Sequence, residues 1–219
     1  WTKIRVRDGF KAIGQLLRTH LWDTQFTSPV GFYVLSSMSK ATRFNRWLLD
    51  QVRPFLGDRL LEAGAGIGNL SGLLINRGRL VLLEREPIYL ARLGRRFEGR
   101  RNVRVVEADL ADEASYADLA DEELDTVWCS NVLEHIGPDE DVLASFSRLL
   151  VDRGHCIIVV PAGQRWFNEM DSALGHVRRY EADELRGKLE AAGFEVVLLK
   201  RFNRFGALGW LFNGWLGRR

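Results

Sequence analysis

The sequence predicts an α/β fold: a doubly wound, mostly parallel sheet preceded by an amino-terminal helical cap. Two observations lead there. From about residue 58, short Leu- and Val-rich runs alternate with stretches of helical period, and such alternation builds a parallel sheet covered on both faces. A loop with three glycines at alternate positions, Gly64, Gly66 and Gly68, joins the first run to the first helical stretch.

Taken in order, residues 1–57 read as the cap, with helical patterning at 3–19 and 40–52. An aromatic, turn-rich segment, DTQFTSPVGFYVLSSMS, joins the two. The core is expected over 58–219 as one integrated domain, ending in an aromatic segment at 201–219. Strands are predicted at 59–63, 79–84, 102–107, 124–130, 154–160 and 194–200, and helices at 68–77, 87–98, 112–121, 138–150 and 181–192. Pro138 suits a first helical position, and Asp139, Glu140 and Asp141 complement the positive end of the helix dipole. Gly193 falls where a helix ends.

Composition narrows the function classes. The net charge is +2 over 219 residues, too small for the basic stripe a nucleic-acid binder shows. No apolar run approaches the roughly 20 residues of a membrane span, and no signal sequence opens the chain. A cytoplasmic protein is expected. Cys129 and Cys156 lie in apolar runs and read as buried small hydrophobes, not as a disulfide. The chain opens on Trp1 rather than methionine, so a trimmed start is expected.

A strand-to-helix loop lies at the carboxyl edge of the sheet, where open α/β folds bind ligands. Glycine there lets a ligand approach the bare main chain. Dinucleotide enzymes use G-x-G-x-x-G, but here the last two glycines are one residue closer and Glu62 precedes the first. A carboxylate repels a pyrophosphate and attracts a cation. Glu84, twenty residues past Gly64, can accept both hydroxyls of a ribose. Asp109, in EADL, can reach an adenine amine.

Glu62-Ala63-Gly64-Ala65-Gly66-Ile67-Gly68, followed by these two acids, resembles the class I S-adenosylmethionine-dependent methyltransferases, which have a Rossmann-like fold. The resemblance implies a cofactor site formed by Glu62, Gly64, Gly66, Gly68, Glu84, Asp109 and Leu110. It also brings Ser130 and Asn131 to the methionine part of S-adenosylmethionine. LDTVWCSNVLEHI resembles the small-molecule branch, including ubiquinone-type O-methyltransferases. The downstream LGHVRRY, with LEAAGFEV, resembles a bacterial subgroup often encoded near glycosyltransferases. The family's seventh, antiparallel strand has no counterpart before Arg219, so a shortened or partial chain is expected.

Two stretches are candidates for the acceptor side. In NVLEHI, His135 is a base beside the acceptor or a histidine packed over the cofactor. The ubiquinone-type E-x-x-E-H pattern is associated with a divalent metal. Here Asn131 replaces the first acid, only Glu134 and His135 remain, and no metal is expected. In GHVRRY, His176 is a second candidate base and Tyr180 a third catalytic candidate, with Arg178 or Arg179 clamping a carboxylate or phosphate. The alternative is a basic loop that caps the helix carboxyl end or pairs with Asp171, which itself could orient His176 or an arginine. In the cap, Tyr33, Met38, Arg43, Phe44 and Trp47 are expected to close over the cofactor. Trp210, Phe212 and Trp215, flanked by arginines, suit lipid contact, an oligomer contact or a lid over an apolar acceptor.

The leading expectation is methyl transfer, at oxygen, to a small-molecule or lipid-linked acceptor. A cofactor-binding pseudoenzyme and an NAD(P) oxidoreductase are the competing readings. The charge, and the lack of an Asn/Asp-Pro-Pro-aromatic motif after the fourth strand, argue against a nucleic-acid substrate.

Overall fold

The structure is a computed structural model of the chain and describes residues 30–202. The predicted helix at 3–19 and most of the aromatic segment, 203–219, lie outside the described residues. So does the side chain of Tyr33.

Five parallel strands form one sheet in the order β3-β2-β1-β4-β5. They are β1 (Arg59–Ala63), β2 (Arg79–Glu84), β3 (Val103–Glu107), β4 (Leu124–Ser130) and β5 (Leu150–Val159). Chain order reverses between β1 and β4, and this is the switch point where open α/β sheets leave a crevice. The register puts Ala63 beside Leu83 and Cys129, Glu84 beside Glu107, and Ser130 beside Val159. Every loop leaving the carboxyl ends therefore meets along one edge.

Side-chain alternation sorts the core into two layers. Leu61, Val81, Leu83, Val127 and Cys129 face one layer, shared with Leu143, Phe146 and Leu185. Leu60, Leu80, Leu82 and Trp128 face the other, shared with Leu48, Leu49, Leu74 and Leu93. The helices are α1 (Val30–Ser39), α2 (Thr42–Val52), α3 (Ser71–Leu74), α4 (Pro87–Arg96), α5 (Asp139–Leu149), α6 (Glu169–Ala173) and α7 (Ala182–Ala191), and all but α1 and α6 supply these core residues. Residues 113–122 form kinked 3-10 turns instead of the expected α-helix. Both cysteines are free and pack in the first layer. No helix among the described residues is long and apolar enough to cross a membrane.

Three elements differ from expectation. Residues 194–200 form no strand. Phe194 and Val196 pack on the first core layer, but Val197, Leu198 and Leu199 are 65%, 51% and 37% exposed. Apolar alternation is present there without a ladder partner among the described residues, and a strand needs both. β5 begins four residues early, at Leu150, through a register irregularity between Leu124 and Thr126 that Arg153 accommodates with φ 62°. α1 occupies the segment read as turns.

The cap divides its work. α2 packs on the sheet face, with Trp47 edge-on to Phe202 at 5.5 Å. α1 lies against the glycine loop: Asn69 Nδ2 donates to Leu35 O at 2.8 Å. Among the described cap residues, Leu35 approaches Gly66 of that loop, whereas Trp47 packs against Phe44 and Phe202.

Candidate active site

The glycine loop has the backbone the sequence requires. Gly64, Gly66 and Gly68 have φ of 73°, 57° and 80°, a region that L side chains avoid. At Gly64 space is also decisive: a Cβ would lie 2.4 Å from Val132 Cγ2, on the loop leaving β4. The two sides of the switch point therefore touch through a bare glycine.

Glu84, the expected ribose acceptor, is 8% exposed and clasps this loop. Its Oε2 accepts from Gly66 N at 2.7 Å, and its Oε1 from Arg85 N at 2.8 Å and Glu86 N at 3.0 Å. Ala108 N donates to Glu84 O at 3.0 Å and brings the Asp109 turn alongside. Asp109 Oδ1 accepts from Ala111 N at 2.9 Å, while its other oxygen faces Arg85 at 3.4 Å. Leu110 is 6% exposed and belongs to the core. Glu62 is buried beneath the loop and accepts from Ser71 Oγ. Burial pushes its carboxyl up to about 8, against the opposing pull of Ser71 and Arg96. Asn131 adopts φ 54°, a left-handed position that asparagine tolerates, with its N–H donating to Val159 O at 2.8 Å. Its Nδ2 donates to Ser130 Oγ at 3.1 Å.

The two acceptor-side candidates, 40 residues apart in sequence, are stitched into one structure. Val177 N donates to Glu134 O at 2.9 Å, and His135 Nδ1 meets Gly175 O at 3.2 Å. The His135 and His176 rings pack edge-to-face, 4.7 Å between centroids. Asp171, fully buried, accepts from His176 Nδ1 at 3.0 Å and from Arg179 Nε at 2.9 Å. It is also the third residue of a capping box with Asn168, whose N donates to Asp171 Oδ2 at 2.9 Å. Burial alone would raise the Asp171 carboxyl, but the donors from His176, Arg179 and Asn168 hold it below the ordinary value. Burial, and then His176, lower the His135 imidazole and keep it neutral at pH 7.

Glu134 stands out in this group. It is 0% exposed, and neither carboxylate oxygen has a hydrogen-bond partner among the described residues. Burial pushes it up to about 8. His176 Nε2 lies 4.0 Å from its Oε1.

Tyr180 does not join the site. It is 2% exposed, and its hydroxyl donates to Asp139 Oδ2 at 2.8 Å and lies 3.2 Å from Leu133 O. A phenol enclosed in the core holds the two loops together and cannot reach an acceptor. The arginines are likewise committed. Arg178 pairs with buried Asp139 at 2.7 Å and donates to Gly137 O at 2.7 Å, and Arg179 pairs with Asp171. Each buried acid needs a cation, and the GHVRRY arginines supply two. The expected pairing of Asp171 with His176 and an arginine is present, and Asn168-x-x-Asp171 carries a legible capping-box spacing; the burial of Glu134 had no such signal.

The profile of the methyltransferase domain family matches residues 38–199. No curated protein matches the chain. Among solved structures, the CurJ carbon methyltransferase aligns at TM-score 0.64 and 15% identity, over 90% of this chain and 63% of its own. The trans-methyltransferase CalH, solved with S-adenosylhomocysteine, aligns at 0.56 and 21%, over 86% and 57%. Fibrillarin from Aeropyrum pernix, solved with S-adenosyl-L-methionine, aligns at 0.52 and 19%, over 68% and 62%. The chain spans about three-fifths of the length of these structures. Likeness at such identity speaks for the fold, and the profile match over most of the sequence speaks for kinship: the chain belongs to the methyltransferase domain family.

Proposed function

We propose that the protein transfers a methyl group from S-adenosylmethionine to an oxygen of a small-molecule or lipid-linked acceptor. One observation carries the reading: the carboxyl edge joins a glycine cradle fringed by Glu84 and Asp109 to a group of His135, His176 and buried Glu134 across the switch point. The nucleoside lies over the bare main chain of Gly64–Gly68, with its ribose on Glu84 and its adenine by Asp109 and Leu110. Ser130 and Asn131 flank the methionine part. The sulfonium then faces the loop bearing Glu134 and His135.

Transfer is an in-line displacement. The acceptor hydroxyl gives its proton to His176 Nε2, its oxygen bonds the methyl carbon, and the carbon–sulfur bond breaks with its electron pair staying on sulfur. Asp171 serves by holding the proton on His176 Nδ1, which leaves the lone pair on Nε2. Alignment of the reacting atoms supplies on the order of 7–11 kcal/mol, and the base adds about 10²–10⁴ in rate.

The test offers methyl-labelled S-adenosylmethionine with aqueous metabolite extracts and, separately, organic lipid extracts. The reading expects label in a product of one extract. His176→Ala should bind S-adenosylhomocysteine as the parent does, yet label at least about 100-fold more slowly. Equal loss of binding and transfer would remove His176 from the acceptor side. Failure of the parent protein to bind the cofactor would refute the function.

A further inference from the structure

Glu134, His135 and His176 offer one carboxylate oxygen and two imidazole nitrogens, all within 4.8 Å of one another. The sequence carries two of these side by side. The third arrives from the loop after β5 and is brought in by the Val177–Glu134 backbone bond. We propose that this trio binds a first-row divalent transition ion, with zinc the best match to its donors.

Three features support a built site. Buried carboxylates are costly unless paired, and Glu134 is fully buried with both oxygens unpartnered among the described residues. Each histidine is also oriented through its other nitrogen. His176 Nδ1 holds to the Asp171 carboxylate at 3.0 Å, and His135 Nδ1 to Gly175 O at 3.2 Å. Carboxylate and carbonyl partners of this kind fix the tautomer of metal-binding histidines and raise their basicity. Finally, two histidines and one carboxylate suit zinc, iron or manganese and leave positions open for a further oxygen ligand. Magnesium and calcium prefer oxygen donors and fit poorly.

The inference deepens the proposed function and rests on it for what fills the open position. With an ion on its Nε2, His176 would be a ligand and no longer the base; the ion would instead lower the pKa of an acceptor hydroxyl bound in the open position, whose proton would pass to water.

The test is calorimetry on the full chain after dialysis against a chelator, with zinc, manganese and magnesium salts each titrated alone. Zinc should bind one ion per chain, and magnesium should not bind. Glu134→Gln and His176→Ala should each weaken zinc at least 100-fold, with circular dichroism confirming the fold. Cobalt(II) bound to the parent protein should give visible bands typical of nitrogen–oxygen coordination, a readout that needs no variant. Absence of stoichiometric zinc uptake by the parent protein overturns the site, as does zinc affinity unchanged in both folded variants. S-adenosylhomocysteine titrated into the same samples separates the two claims. Nucleoside binding without zinc uptake sinks the metal site alone, and zinc uptake without nucleoside binding sinks the proposed function alone.

Discussion

At the residue scale, three side chains have distinct and separable duties. Glu84 clasps the glycine loop and is the residue proposed to hold the ribose. Glu84→Ala should weaken S-adenosylhomocysteine affinity by on the order of 1.5–3 kcal/mol, measured by calorimetry; unchanged affinity would refute the ribose assignment. Tyr180→Phe leaves buried Asp139 with one donor fewer. It should lower unfolding free energy by about 1–3 kcal/mol in urea titration while sparing cofactor affinity. An unaffected stability would mean the phenol is not the tie it appears in the core. Glu62 titrates at about 8 in the fold against an ordinary 4.5. Below pH 4.5 both states are protonated and burial carries no ionic penalty. Between 4.5 and about 8 folding takes up a proton, so stability falls as pH rises, by up to about 1.4 kcal/mol per unit. Above that range the penalty is constant. Glu62→Gln should therefore flatten the loss of stability between pH 5 and 8, and a profile matching the parent's would contradict the shift.

At the element scale, the glycine loop is a contact between two strand ends as well as a cradle. Gly64→Ala asks a methyl to share space with Val132 at an unfavourable φ. It should cost at least the roughly 1–3 kcal/mol of a side chain held in the left-handed region and abolish cofactor uptake in the same calorimetric assay; tolerated binding would mean the crevice is looser than the geometry indicates. The strands at the centre of the sheet were legible because burial on both faces writes them as continuous apolar runs: 59–63, 79–84 and 124–130 fold at those bounds. α1 was not, since VGFYVLSSMS is β-branched and aromatic without an apolar stripe at helical spacing. The outer run at 194–200 shows the reverse error. Its pattern reads as a strand, but pairing depends on a neighbour that local composition does not encode.

At the scale of the whole molecule, strand order decides what the site contains. The order β3-β2-β1-β4-β5 places Glu84 and Asp109 on one side of the switch point and the histidine loops on the other. The glycine loop and the acids beside it were legible in sequence because they sit at fixed offsets from strand ends. The acceptor half was not, because Glu134 and His176 meet only through tertiary hydrogen bonds, and because Tyr180 and both arginines are drawn off to buried Asp139 and Asp171. Spacing identified the residues; only the fold could divide them between chemistry and support. A crystal structure with S-adenosylhomocysteine tests the central claim most directly. The account predicts the ribose on Glu84, the adenine beside Asp109 and the sulfur turned toward His135 and His176. A nucleoside bound elsewhere on the fold, or a sulfur directed away from those histidines, would contradict it.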